Sequence, residues 1–249
     1  MYLVLIAVLI FVGFVVCLEI GFRIAVQRVK SIPNAFEGFG AIEAAVFGIF
    51  GLLLSLSFFG AATRLDARRQ LIVNEANAIA TAYARVDLLP NVEQPEVRRL
   101  FREYLDERIR ISESSDETQA LAEMSKGTQL QRAIWSHGIS ATREGIAGAP
   151  LLLTALNQMS EIASAKAIAV RTHLPTLVFF FLVAAGLLSA LVAGFGMARG
   201  HRNWLSVFAY AAIVALTMYV MIDMEYPRGG LIRIGAADLA MTTLRDSIR

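Results

Sequence analysis

The sequence predicts an all-α membrane protein with four transmembrane helices and an extramembrane helical bundle between the second and third of them. Two observations predict this fold. Four apolar stretches each run for about 20 residues, the helix length that crosses a hydrocarbon core of about 30 Å. Hydrophobic residues also make up 56% of the 249-residue chain, and its mean hydropathy of +0.57 is too high for an ordinary soluble domain.

The four predicted spans divide the chain into a membrane part and a water-facing part. The spans are residues 2–22, 41–63, 174–197 and 204–224. The first span has no positive residue before it and is longer than the apolar core of a signal peptide, so we expect it to remain as an anchor. The expected organisation is 1–63 for the first two spans, 64–172 for the bundle, 173–224 for the last two spans and 225–249 for a C-terminal tail.

Between residues 64 and 172 the apolar residues recur with the period of an α-helix. A first helix continues from the second span and ends at Leu89-Pro90, because proline cannot continue a helix. A second amphipathic helix begins near Pro95. The apolar stripe of the first helix is Leu65, Ile72, Ala76, Ile79, Tyr83 and Val86.

Two further helices complete the predicted bundle. The polar run at residues 112–118 is expected to be a turn, and the third helix follows it, with an interruption or bend near Lys126-Gly127. The fourth helix begins at Pro150, which suits a first helical turn, and is expected to join the third span with a kink at Pro175. No strand-like alternation of useful length is present.

The composition excludes several classes of function. The net charge is +2, and the basic residues lie beside the spans and along helices, so nucleic acid is not an expected partner. Cys17 is the only cysteine, and His137, His173 and His201 lack the spacing of metal ligands. No nucleophile motif or phosphate-binding loop is present. The sequence therefore predicts no enzyme activity, no metal site and no cofactor.

The orientation in the membrane is left open by the charges. The loops after the first and third spans are short and basic, which favours a cytoplasmic location for them and an outer location for both termini and the bundle. The bundle side also carries basic residues close to the membrane, which favours the opposite orientation.

The second span carries two sets of candidate functional residues. A stripe of small residues at helical spacing would allow close approach of another helix, and its members are Ala44, Gly48, Gly51 and Ser55. The bulky apolar residues are Phe47, Phe50 and Leu54. One interpretation is helix packing inside a bundle or oligomer. The other is that several copies surround an axis, so that the second spans form a hydrophobic constriction, with the bulky residues as candidates to line the pore.

Charged residues near the membrane edge are a further set of candidates. Glu19 and Glu43 lie about one turn inside the same edge, where a carboxylate is costly unless it is paired, protonated or facing water. Arg23 follows Glu19 by four residues and can pair with it along one helix. The two interpretations are an interfacial pair that sets the depth of the helix and a role in an ion path.

Two carboxylates end the fourth span. Asp223 and Glu225 oppose the helix dipole there, so a compensating cation is expected. Arg64 and Arg68 should emerge on the same side of the membrane and are the candidate partners. We expect a structural ion pair, since two carboxylates do not supply the six or so oxygens that calcium prefers.

These residues resemble the bacterial bestrophin-like domain family over nearly the whole chain. The similar runs are RLDARRQLIVNEANAIATAYARVDLLP, RRLFREYLDER, LNQM, RTHLP and DMEYPRGGLIRI. The most specific positions are Glu75-Ala76-Asn77, Leu89-Pro90, Tyr104 with Arg108, residues 173–175, and Asp223, Glu225, Pro227 and Gly229. The family consists of multi-pass membrane proteins of unassigned function and is more distantly similar to bestrophins.

The resemblance implies a function and an orientation. Bestrophins are pentameric anion channels whose second transmembrane helix lines a hydrophobic neck, and both of their termini are cytoplasmic. The expected function is therefore an oligomeric ion channel in a bacterial inner membrane, with small inorganic ions, by resemblance anions, as its substrates and other copies of the chain as partners. The alternative is a non-conducting scaffold or envelope sensor that binds a partner through its helical bundle.

Overall fold

The computed structural model describes residues 2–29, 36–113, 117–199, 204–226, 231–232 and 235–248. Within these ranges the chain is helical and contains no strand. The helices are α1 (Tyr2–Val29), α2 (Phe39–Ala84), α3 (Gln94–Glu113), α4 (Glu117–Arg143), α5 (Ala149–Arg171), α6 (Thr176–Met197), α7 (Trp204–Glu225) and α8 (Gly235–Ser247). Four stretches are long and apolar enough to cross a membrane, which confirms the predicted fold class.

The chain forms two compact units. The first, called unit 1, consists of Met1–Leu65 and His173–Ile232, and the second, called unit 2, of Asp66–Thr172 and Arg233–Arg249. Helix α2 therefore contributes its first part to unit 1 and the rest to unit 2.

Unit 1 is built on a close contact between α1 and α6. A Cβ atom added at Gly21 would fall on the carbonyl oxygen of Leu191, and one added at Gly194 would fall on that of Leu18. The two backbones touch because neither glycine has a side chain, which is how small residues support helix association in lipid. Nearer the start of both helices, a Cβ atom added at Gly13 would lie 3.4 Å from the side chain of Leu187, so α1 and α6 run parallel.

Unit 2 has a conventional apolar core. Helix α3 packs on α4 and α8, and α4 packs on α5. Five of the six residues of the apolar stripe predicted for the first helix of the bundle belong to this core, and the sixth, Leu65, is buried in unit 1. After α2, a short 3-10 turn (Arg85–Leu88) ends before Pro90, as proline requires. Pro95 lies in the first turn of α3, and Pro150 in the first turn of α5.

Four details differ from the sequence-based expectations. Helix α4 continues through Lys126-Gly127 without a break, and Gly127 faces the ring of Tyr104 there. Helices α5 and α6 are separated by extended backbone, because Pro175 disfavours helical geometry in the residue before it. The C-terminal tail also contains α8, which was not predicted. Of the expected turn, residues 112 and 113 belong to α3 and residues 117 and 118 to α4, and residues 114–116 lie outside the described ranges.

Candidate functional site

The small-residue stripe of α2 is exposed on unit 1. Ala44, Gly48, Gly51 and Ser55 are all exposed, and a Cβ atom added at Gly48 or Gly51 would meet nothing within 4 Å. The hydroxyl of Ser55 donates to the carbonyl of Gly51 at 2.8 Å, which satisfies it within the helix. Among the residues that the structure describes, the close helix contact expected for this stripe is therefore not made inside one chain.

A second exposed stripe runs beside the first along α2. It consists of large apolar residues and is called the large-residue stripe; its members are Ile49 (61% exposed), Leu52 (61%), Leu56 (60%) and Phe59 (71%). Sequence analysis did not single out these residues, because every face of the second span is apolar and the helical period alone does not show which face is covered.

The predicted pore-lining residues lie on the opposite, packed face of α2. Phe50 is 4% exposed and covers Gly186 of α6, where an added Cβ atom would lie 3.0 Å from Phe50 Cε2. The rings of Phe47 and Tyr210 form a T-shaped contact with 5.9 Å between their centroids, and Leu54 is half-buried. Phe50 is therefore buried inside one chain, and the pore-lining role of these three residues stays a prediction.

The membrane-edge carboxylates both have basic neighbours. Arg23 Nε donates to Glu19 Oε1 at 2.7 Å along α1. Glu43 lies 3.9 Å from Arg199 Nη1 and beside Gly196, where an added Cβ atom would be 2.6 Å from Glu43 Oε1. The guanidinium of Arg199 also stacks over two phenylalanine rings, those of Phe36 and Phe39. This arrangement fits an interfacial anchor at this end of unit 1.

The C-terminal end of α7 is joined to α2 by an ion pair. Arg64 Nε donates to Glu225 Oε1 at 2.7 Å, and the same oxygen accepts from Arg64 Nη2. The guanidinium lies back over Gly60, where an added Cβ atom would be 3.3 Å from Arg64 Nη1. The absence of a side chain at Gly60 thus leaves room for the cation beside its partner.

Asp223 and Arg68 use partners that the sequence does not reveal. The carboxylate of Asp223 is buried and accepts hydrogen bonds from the backbone N–H groups of Leu231 and Ile232 at 2.8 to 3.1 Å. Arg68 donates to the carbonyl oxygens of Ala169 and Thr172 within unit 2. Arg64, one of the two candidate basic residues, forms an ion pair with Glu225. Pro227 and Gly229 lie outside the described residues.

His173 also contacts the carboxylate of Glu225. Its Nδ1 atom is 3.7 Å from Glu225 Oε2, and its ring stacks on that of Tyr226 with 4.7 Å between centroids. Glu225 therefore has the guanidinium of Arg64 at one oxygen and the imidazole of His173 near the other.

Unit 2 contains a buried charge cluster that sequence analysis missed. Glu75 is fully buried, and its carboxylate contacts Lys166 Nζ at 2.7 Å and the guanidinium of Arg108. Burial raises the pKa of the adjacent Tyr104 to about 12, with Arg108 lowering it and Glu75 raising it. The sequence does indicate that Glu75 is buried, because Glu75 lies on the apolar stripe between Ile72 and Ile79.

The charged groups do not form a metal centre in the part of the chain that the structure describes. No set of three or more His, Cys, Asp or Glu side chains is suitably grouped there. The charged clusters of both units can act as ion pairs and hydrogen-bond networks.

Comparison with known proteins gives one family. A family model described as a bestrophin-like domain matches residues 5–239. Similar folds occur in crystal structures of three single-residue variants of a bacterial bestrophin homolog from Klebsiella pneumoniae. The first has a TM-score of 0.67 at 9% identity, and the match covers 100% of this chain and 99% of that chain. The second has a TM-score of 0.67 at 12% identity, and the match covers 100% of this chain and 96% of that chain. The third has a TM-score of 0.66 at 12% identity and covers 99% and 97%. No curated protein matches the chain.

Proposed function

The chain belongs to the bestrophin-like domain family, and from that premise we propose that its copies surround an axis in a bacterial inner membrane and form an ion channel. The exposed face of α2 in unit 1 is the observation that carries the proposal. By resemblance to bestrophins, in which the second transmembrane helix lines the neck, small inorganic anions are the proposed substrates.

The angular positions of the α2 residues support a ring. Each residue turns an α-helix by about 100°, so the large-residue stripe lies about 180° from the packed face that contains Phe50. The small-residue stripe lies about 90° from that face. In a ring of copies, the packed face would contact the rest of its own chain, the small-residue stripe the adjacent copy, and the large-residue stripe the axis.

The chemistry of each stripe suits its proposed neighbour. Small residues allow helices to approach closely in lipid, where no hydrophobic driving force acts between helices. Leu52 and Leu56 on the large-residue stripe would narrow the axis with apolar side chains, a constriction of the kind that gates by dewetting. In the competing arrangement, the same stripe faces lipid. A water-soluble reagent that labels a cysteine placed on the stripe distinguishes the pore arrangement from the lipid arrangement.

Current recording tests conduction. Purified protein should give unitary currents in a planar bilayer, and in a potassium chloride gradient the reversal potential should move towards that of chloride. Assembled protein that carries no current would contradict the proposal and favour the non-conducting scaffold.

A separate experiment tests the ring. Gly48→Leu should reduce the mass of the assembly in detergent, because a large side chain would keep adjacent copies apart. Ala212→Leu is the matched control, since Ala212 is a small exposed residue on α7. An unchanged mass for Gly48→Leu, or an equal loss in both variants, would contradict the assigned contact.

A further inference from the structure

The first helix of unit 1 has one exposed side, and that side is apolar along most of the helix. Within residues 3–22 of α1, every exposed residue is Val, Leu or Ile. Five of them recur at spacings of three or four residues, which places them along one side of the helix. They are 42 to 62% exposed and are called the outer stripe: Leu5, Leu9, Val12, Val16 and Ile20.

The opposite side of α1 is covered by protein. Phe14 and Leu18 are 0% and 1% exposed, and each lies two residues before a member of the outer stripe, which turns it away from the stripe by about 200°. Gly21 lies on the covered side too, where the backbone of α1 touches that of α6. Helix α1 therefore has a small residue where it meets another helix closely, whereas the outer stripe contains only large side chains.

This difference in side-chain size favours lipid over a second copy as the neighbour of the outer stripe. Helices approach each other in lipid through small side chains, because Val and Leu gain no hydrophobic free energy by exchanging acyl chains for protein. The exposed face of α2 has such small residues, including Gly48 and Gly51. Phospholipid acyl chains, by contrast, can pack against large aliphatic side chains without close backbone contact.

The length of the exposed side of α1 matches a bilayer. Its first exposed residue in the described chain is Val4, and its first exposed charged residue is Arg23. The helix between them is roughly 28 Å long, close to a hydrocarbon core of about 30 Å. Arg23 lies about three turns after Val12 and so on the same side. Its side chain is 73% exposed, and its Nε atom donates to Glu19 Oε1 at 2.7 Å.

We propose that the outer stripe is a lipid-facing surface of the assembled protein, with phospholipid acyl chains along the stripe and headgroup phosphates level with Arg23. A long basic side chain at the end of an apolar surface reaches the headgroups, and a guanidinium suits phosphate oxygens. The surface extends onto α7, where Phe208 is 46% exposed and its ring stacks on that of Phe11 at 6.3 Å between centroids. The proposal does not rest on conduction.

Quenching of tryptophan fluorescence by brominated phospholipids tests the proposal. The chain has two tryptophans, so Trp135→Phe with Trp204→Phe gives a background without this fluorophore. Val12→Trp and Ile24→Trp are then made singly, and both positions are exposed, so the new ring needs no space inside the protein. Each variant is reconstituted into phosphatidylcholine vesicles that are brominated near the middle of the acyl chains or near the ester groups. Unbrominated vesicles are the reference.

Val12→Trp should lose most of its fluorescence in the lipid brominated at mid-chain, and Ile24→Trp should lose more in the lipid brominated near the esters. Trp135 lies in the bundle of unit 2 and is the control; it is the remaining tryptophan in the variant Trp204→Phe and should keep its fluorescence in both lipids. A loss at Val12 no greater than at Trp135 would overturn the proposal and indicate that protein covers the stripe. The same depth preference at both new positions would overturn the placement of the phosphates.

Leu52→Trp in the same background separates this proposal from the channel. If the large-residue stripe faces the axis of the assembly, Leu52→Trp should be quenched much less than Val12→Trp. Equal strong quenching at both positions would contradict the axis assignment of α2 and leave the lipid-facing surface of α1 supported. Weak quenching at both positions would contradict the lipid-facing surface and leave the channel proposal standing.

Discussion

Arg64 and Glu225 are 161 residues apart in sequence, and Arg64 Nε donates to Glu225 Oε1 across 2.7 Å. The contact joins the last α2 residues of unit 1 to the C-terminal end of α7. Its side chains are 27% and 5% exposed, so the pair is only partly screened by solvent. This location distinguishes it from the ion pair between Arg23 and Glu19, whose side chains are 73% and 23% exposed at the same distance.

Arg64→Gln should destabilise the protein by roughly 2 kcal/mol or more, because it leaves a buried carboxylate with less compensation. Arg23→Gln, the matched control, should cost about 1 kcal/mol or less. The free energies of unfolding of the two variants in detergent check this difference. Combining Arg64→Gln with Glu225→Gln should cost less than the sum of the single changes; strict additivity would show that the two residues are not coupled.

Gly21→Ala and Gly194→Ala should each destabilise unit 1 by about 2 kcal/mol or more, since an added methyl group meets a backbone carbonyl that cannot move aside. Gly48→Ala is the control, because the space around Gly48 is open within one chain and alanine has the higher helix propensity. Thermal unfolding of the three variants is the measurement. Equal stability of Gly21→Ala and Gly48→Ala would contradict the contact of α1 with α6.

Glu75→Gln should lower the free energy of unfolding by about 3 kcal/mol, because two cations, Arg108 and Lys166, lose their shared buried anion. Asp106→Asn should have a much smaller effect, since its pair with Arg245 is exposed. Chemical unfolding of both variants tests the contrast. A Glu75 variant as stable as the Asp106 variant would show that the cluster contributes little.

Stability should fall between about pH 10 and pH 12 through Tyr104. Burial raises the pKa of Tyr104 to about 12, so the folded protein retains a proton that the unfolded chain loses near pH 10. The contribution is therefore complete below pH 10 and is lost as the pH rises through the folded value. The wild type should lose more stability than Tyr104→Phe over this interval, and parallel pH profiles would exclude the effect.

The elements of the fold follow from the hydrophobic pattern. The four spans could be predicted from their length and continuous apolar composition, and the stripe from Leu65 to Val86 could be predicted because burial and helical period agree there. The contact between α1 and α6 could also have been predicted, because small residues recur at four-residue spacing in both helices. They are Gly13, Cys17 and Gly21 in α1, and Gly186, Ala190 and Gly194 in α6. Gly48 and Gly51 of α2 were predicted to make such a contact instead, although a Cβ atom added at either would meet no described residue within 4 Å.

The faces of α2 and the partners of Asp223 could not be predicted in the same way. Apolar residues surround the second span, so Phe50 and Leu52 are equivalent by composition, and only packing against Gly186 separates them. The donors to Asp223 are backbone N–H groups, whose position depends on the path of the chain after α7 and not on residue type. Glu225, by contrast, required a cation near the end of its helix, and the sequence offered Arg64.

The central claim is that the large-residue stripe faces the axis of the assembly. Cysteine labelling during current recording tests this claim most directly. Cys17 is the only native cysteine, so Cys17→Ala provides a background for Leu52→Cys and for Leu216→Cys, a comparably exposed position on α7. A charged, water-soluble thiol reagent should reduce the current of the Leu52 variant and leave that of the Leu216 variant unchanged. An unaffected current in the labelled Leu52 variant, or an equal block at both positions, would contradict a pore lined by this face of α2.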